Sequence, residues 1–101
     1  MKRDPRVSAL LRRAAKRFDN DKELYGVCAA ISHESHRAVS YFESDEERAA
    51  KDFLRAVYQR DPTNPYRNTL YWLGPPGRNR EFRVMCLLFA AELWDSGWEA
   101  K

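Results

Sequence analysis

Two histidines flank a glutamate in the stretch Ile31-Ser32-His33-Glu34-Ser35-His36. Zinc proteases use His-Glu-x-x-His, where histidines four apart share a helical face and the glutamate reaches the metal-bound water. Here the histidines are three apart, Glu34 points about 100° away from its neighbour, and no third ligand falls nearby. The pair therefore reads as surface or boundary histidines on a helix, with no metal. Cys28 precedes His33 by five residues, a separation open to a Cys–His nucleophile pair. Both Cys28 and Cys86, however, fall on apolar stripes, where a thiol behaves as a small hydrophobe. The chain has neither a glycine-rich phosphate loop nor a Gly-x-Ser-x-Gly turn. It reads as non-enzymatic, with no cofactor.

Two other groups of residues suit binding. Arg12, Arg13, Lys16 and Arg17 cluster on one helix and could neutralise several phosphates, which makes nucleic acid one candidate partner. The alternative is a solvated face that forms ion pairs with the acidic third helix. No helix-turn-helix pattern follows, which argues against sequence-specific reading of DNA. The second group lies in Asn64-Pro65-Tyr66-Arg67-Asn68-Thr69-Leu70-Tyr71-Trp72 and the residues after it, where aromatic rings alternate with arginines and asparagines. Rings stack, and guanidinium forks hold phosphate or carboxylate in pairs of hydrogen bonds, as in nucleotide sites and interface hot spots. The expected contact set is Tyr66, Arg67, Trp72, Arg78, Arg80 and Arg83. Equally open is a reading in which Leu70, Trp72 and Leu73 plug the end of a bundle while the arginines are solvated.

Helices must carry both groups. Val7, Leu10, Leu11, Ala14, Ala15 and Phe18 repeat at helical spacing and form one apolar stripe. Asp4 and Pro5 suit the N-cap and first helical position, and Asp19, Asn20 and Asp21 favour the turn that ends it. A second helix is expected from about Asp21, with Leu24, Val27, Cys28 and Ile31 inward, running to about residue 41. Ser44-Asp45-Glu46-Glu47 fits a capping box, the Ser44 hydroxyl on the Glu47 amide and the Glu47 carboxylate reaching back. Ala50, Phe53, Leu54, Val57 and Tyr58 form that third helix's stripe, and Pro62 ends it. Residues 61–80 hold four prolines and two glycines, an irregular loop with room for a short helical segment closed by Gly74. A last helix from about Asn79 to Asp95 turns Phe82, Met85, Cys86, Phe89 and Leu93 inward, and Gly97 is its C′ residue.

At 101 residues, 44% hydrophobic and 33% charged, the composition is that of a folded chain rather than a disordered one. The expected fold is all-α: a compact single-domain bundle of four to five helices over residues 1–101, with a Pro/Gly-rich loop before the last helix. No apolar run approaches the roughly 18 residues of a spanning helix. The basic N-terminus has the outline of a transit peptide but no secretory apolar centre, and it reads as an integral first helix. Two widely spaced cysteines fit thiols in a reducing cytoplasm. Residues 1–17 carry seven basic side chains against Asp4 alone, so the remaining chain is net −3 within a total of +3. Such a dipolar surface suits phosphates at one end or a partner of complementary charge.

The stretches Leu24-Tyr25-Gly26-Val27-Cys28-Ala29-Ala30-Ile31 and Arg80 to Trp98 resemble small helical accessory proteins of tailed bacteriophages. The resemblance rests on Tyr25, Cys28, Ala30 and Ile31, and on Arg83, Leu87, Leu88, Glu92 and Leu93, about a third of the chain. It implies a protein that works by binding in the cytoplasm of a bacterial host, either inhibiting a host defence protein or sequestering a small nucleotide signal. A nucleic-acid-binding accessory protein acting through the first helix, and a homo-oligomeric assembly protein, are the alternatives.

Overall fold

The structure, a computed structural model, describes residues 3–21, 26–35, 44–59 and 80–99. Over these residues the chain forms four helices: α1 (Pro5–Asn20), α2 (Val27–Ser35), α3 (Asp45–Gln59) and α4 (Arg80–Ser96). No strand occurs among the described residues. The all-α expectation holds at this level; the expectations of a fifth helix, of an irregular Pro/Gly-rich loop and of a second helix running to about residue 41 fall outside the described residues.

α1 follows its sequence closely. The Asp4 carboxylate accepts from the Arg6 amide at 2.9 Å, satisfying one of the donors that a helix start leaves open, and Pro5 supplies a preset φ. All six stripe residues, Val7 through Phe18, are at most 1% exposed. Burial of this kind stabilises by about 1.5–3 kcal/mol per large apolar side chain. Asp21 closes the helix, its amide donating to the Arg17 carbonyl at 2.8 Å. Asp21 is thus a cap of α1 rather than the start of α2. The second helix begins only at Val27, with the Gly26 carbonyl accepting from the Ala30 amide at 3.2 Å.

α1 is the central element. It packs against each of the other three helices, most extensively α4, while α3 packs against both α2 and α4. Ala14 and Ala15 of α1 and Ala90 and Ala91 of α4 are all fully buried, and short side chains on both surfaces let two helix axes approach closely. Val27, Cys28, Ala30 and Ile31 of α2, and Ala50, Phe53, Leu54 and Val57 of α3, complete the core. Cys28 and Cys86 both remain thiols.

α3 starts as the capping box predicts in one half only. The Ser44 hydroxyl accepts from the Glu47 amide at 3.1 Å. The Glu47 carboxylate turns across to α2 instead of back, accepting from Ser35 Oγ at 2.7 Å and Ser32 Oγ at 3.2 Å. It also accepts from Lys51 Nζ, one turn on, at 2.7 Å. A carboxylate only 2% exposed needs such donors, since burying an unpaired charge is costly. α4 ends on Gly97 at φ +83°. The Gly97 amide donates to the Trp94 carbonyl at 3.2 Å and the Trp98 amide to the Leu93 carbonyl at 3.1 Å, the paired bonds of a Schellman closure.

Candidate functional site

α4 is apolar round most of its circumference, so its sequence does not by itself fix which side faces the core. The structure buries Arg83, Leu87, Ala90 and Ala91, with Trp94 packed against the same core. At 3.6 residues per turn that face lies about a third of a turn from the centre of the stripe expected at Phe82, Met85, Cys86, Phe89 and Leu93. Cys86 and Leu93 still pack against the core, partly buried, Met85 and Phe89 face outward, and the side chain of Phe82 lies outside the described residues. Met85 is 66% exposed, and Leu88 and Phe89 are 44% and 43% exposed. These three fall at i, i+3 and i+4, adjacent on the outer face of one helix. Glu81 and Glu92 are exposed on the same side, one turn before and one after the apolar trio.

The C-terminal half of α4 is held firmly. Trp94 Nε1 donates to the Asp4 carbonyl at 2.8 Å. Its ring meets Phe53 edge-on, with centroids 5.0 Å apart, and Trp98 meets the same phenyl ring edge-on at 5.8 Å. The Arg3 guanidinium sits 4.6 Å from the Trp94 ring and 5.0 Å from that of Phe53, a cation held by aromatic faces. The segment before α1 is therefore strapped over the end of α4, and the outer face of α4 is presented on a rigid support.

Of the residues expected to make contacts, Tyr66, Arg67, Trp72 and Arg78 lie outside the described residues, and Arg80 opens α4 with its side chain outside them. Arg83 is 2% exposed, with its guanidinium 6.0 Å from the Phe18 ring centroid, so the fold encloses it. The alternative cluster is divided between neighbours. Arg12 Nη2 donates to Asp95 on α4 at 2.7 Å, and Arg17 Nε donates to Glu34 on α2 at 2.8 Å. Arg13 Nε lies 3.8 Å from the other Glu34 oxygen. The acidic third helix is met by Arg6 instead, 3.4 Å from Glu46.

Arg13, Lys16, Arg17, Asn20, Asp21 and Glu34 line an open groove of about 450 Å³. Its three cations face two carboxylates at the C-terminal end of α1, where the helix dipole adds negative potential. A phosphate entering there competes with Glu34 for both guanidinia. The glutamate of the His-Glu-x-x-His-like stretch is thus an ion-pair partner, and His33 beside it is exposed. No group of three His, Cys, Asp or Glu among the described residues is placed to hold a metal ion. Cys28 is 3% exposed and packs in the core. No described helix is long and apolar enough to cross a membrane.

Two carboxyl groups are shifted by contacts at the bundle's rim. The side-chain hydrogen bond from Arg6, followed by the Arg6 backbone amide, holds the Asp4 carboxyl below its usual range. The Ser8 hydroxyl, then Arg12, do the same for Asp95. Both favour the charged carboxylate, one where the chain enters α1 and the other where it leaves α4.

Sequence reasoning missed the outer face of α4 and the serines that hold Glu47. The second had a visible signal: Ser32 and Ser35 share a helical face at i, i+3, opposite an acidic helix start. The first had none beyond the apolar excess of α4 itself. No family model, no curated protein and no solved structure matches the chain.

Proposed function

We propose that the protein is a small non-enzymatic binding protein that works by covering a surface of another protein, with the outer face of α4 as its contact element. The observation that carries this reading is the exposure of Met85, Leu88 and Phe89 together on one helical face. Leaving most of Met85 and nearly half of Leu88 and Phe89 exposed forgoes part of the stabilisation that full burial brings, and adjacent exposed apolar residues point to a contact site. The Trp94–Asp4 bond and the Schellman closure at Gly97 hold the helix ready, which lowers the ordering cost of association. The resemblance to phage accessory proteins supports the same class, with a host defence protein as target in a bacterial cytoplasm.

The test is site-specific photo-crosslinking in bacteria expressing the protein. A photoreactive side chain at Met85 yields one adduct of defined mass, and the same group at exposed Asp52 on α3 does not. Identical patterns from the two positions, or no adduct from Met85, would overturn the assignment of this face.

A further inference from the structure

Resting on that reading of α4, we infer that the partner element is an amphipathic helix whose apolar stripe is flanked by lysines or arginines. The apolar trio Met85, Leu88 and Phe89 fits the i, i+3, i+4 anchors by which one helix docks on another. Among the described side chains beside the trio on α4, Glu81 and Glu92 are both exposed, Asp95 is paired with Arg12, and Arg83 on the same helix is enclosed on the opposite side. No exposed cation among the described side chains of α4 offsets Glu81 and Glu92. Complementary charge across an interface sets partner choice and orientation more than raw affinity. A second copy presenting this same face brings carboxylates toward carboxylates, which disfavours self-pairing. A partner flanked by cations meets them with opposite charge.

The chain as a whole is net +3, so its overall field repels a cationic peptide and attracts an anionic one. A preference for the cationic peptide therefore reports the local rim and not the global charge. Two fluorescein-labelled amphipathic peptides with the same leucine stripe, one flanked by lysines and one by glutamates, are titrated with the full-length protein by fluorescence anisotropy. The lysine peptide is expected to bind about three- to tenfold more tightly, the range two rim charge pairs supply, with the preference shrinking at high salt. The Glu81→Lys/Glu92→Lys variant, altered only at exposed positions and checked by its melting curve, is expected to prefer the glutamate peptide. The Met85→Ser/Leu88→Ser variant is expected to bind neither.

Equal binding of both peptides, lost in Met85→Ser/Leu88→Ser, would overturn the charge assignment while leaving the docking face standing. Binding of neither peptide, with light scattering showing a dimer that Met85→Ser/Leu88→Ser abolishes, would make a second copy the occupant and overturn the inference. Binding of neither by a strict monomer would overturn both the inference and the docking face.

Discussion

Replacing Glu47 by alanine is expected to be the most damaging single change outside the apolar core. The carboxylate is 2% exposed and accepts from Ser35 at 2.7 Å, Ser32 at 3.2 Å and Lys51 at 2.7 Å. It ties α2 to the first turn of α3. Alanine takes the shared acceptor from all three donors. Breaking a buried charge pair by removing one partner costs about 3–5 kcal/mol, and each of the partly buried Ser32 and Ser35 hydroxyls that loses its acceptor adds at most about 1 kcal/mol. Relaxation toward solvent recovers part of this, because the Lys51 side chain is 16% exposed, so the expected loss is about 3–5 kcal/mol. That is at least a fifth of the stability of a domain this size, about 5–15 kcal/mol. Glu47→Gln keeps the shape and one acceptor and loses less, about 1.5–3 kcal/mol, the range of a hydrogen bond to a charged group. Guanidinium unfolding followed by circular dichroism measures both. A Glu47→Ala loss below about 1 kcal/mol, the size of a surface pair, would refute the view that this carboxylate is a structural hub.

Three smaller changes follow from the same geometry. Trp94→Phe keeps a ring against Phe53 but loses the 2.8 Å bond to the Asp4 carbonyl, so unfolding curves are expected to show a loss of about 1 kcal/mol. Gly97→Ala is expected to cost about 1 kcal/mol in the same assay, from the left-handed backbone at φ +83° and not from a clash, because nothing lies within 4 Å of the added methyl. On acidification, the Asp4 and Asp95 carboxyls, both lowered in the fold, contribute stability that is fully present above the unfolded value of about 3.9. That contribution fades as pH falls through their folded values. Acid-unfolding titrations are expected to place the loss below about pH 4, and Asp4→Asn/Asp95→Asn is expected to flatten it.

α1 was legible in the sequence because its polar and apolar residues segregate cleanly, so Val7 to Phe18 left one choice of inward face. The same holds for Ala50, Phe53, Leu54 and Val57 of α3. α4 offered no such choice. Its largest apolar side chains, Met85 and Phe89 among them, define the more conspicuous stripe, yet the core accepts Leu87, Ala90 and Ala91. α1 buries Ala14 and Ala15 and packs against α4, and which face of α4 meets it is a property of the pair of helices that neither sequence states alone. Arg83 shows the same limit: an arginine read as a contact residue lies enclosed near Phe18. The basic cluster of α1 was visible, but its division between Glu34 and Asp95 depends on where α2 and α4 pass. Glu47 was recognised as a helix-start residue, and only the crossing of α2 over α3 turned its carboxylate toward Ser32 and Ser35.

The orientation of α4 underlies the proposed contact face, and two adjacent leucines test it most directly. Leu87 is 0% exposed and Leu88 44% exposed, so glutamate is substituted at each in turn and the unfolding free energies are compared. Leu87→Glu is expected to cost more than about 4 kcal/mol or to abolish folding, the mark of a charge forced into a core. Leu88→Glu is predicted to stay within about 1 kcal/mol of the parent, as surface substitutions do. Equal losses at the two positions, or a larger loss at Leu88, would mean that α4 is turned the other way and that the proposed contact face belongs to the core.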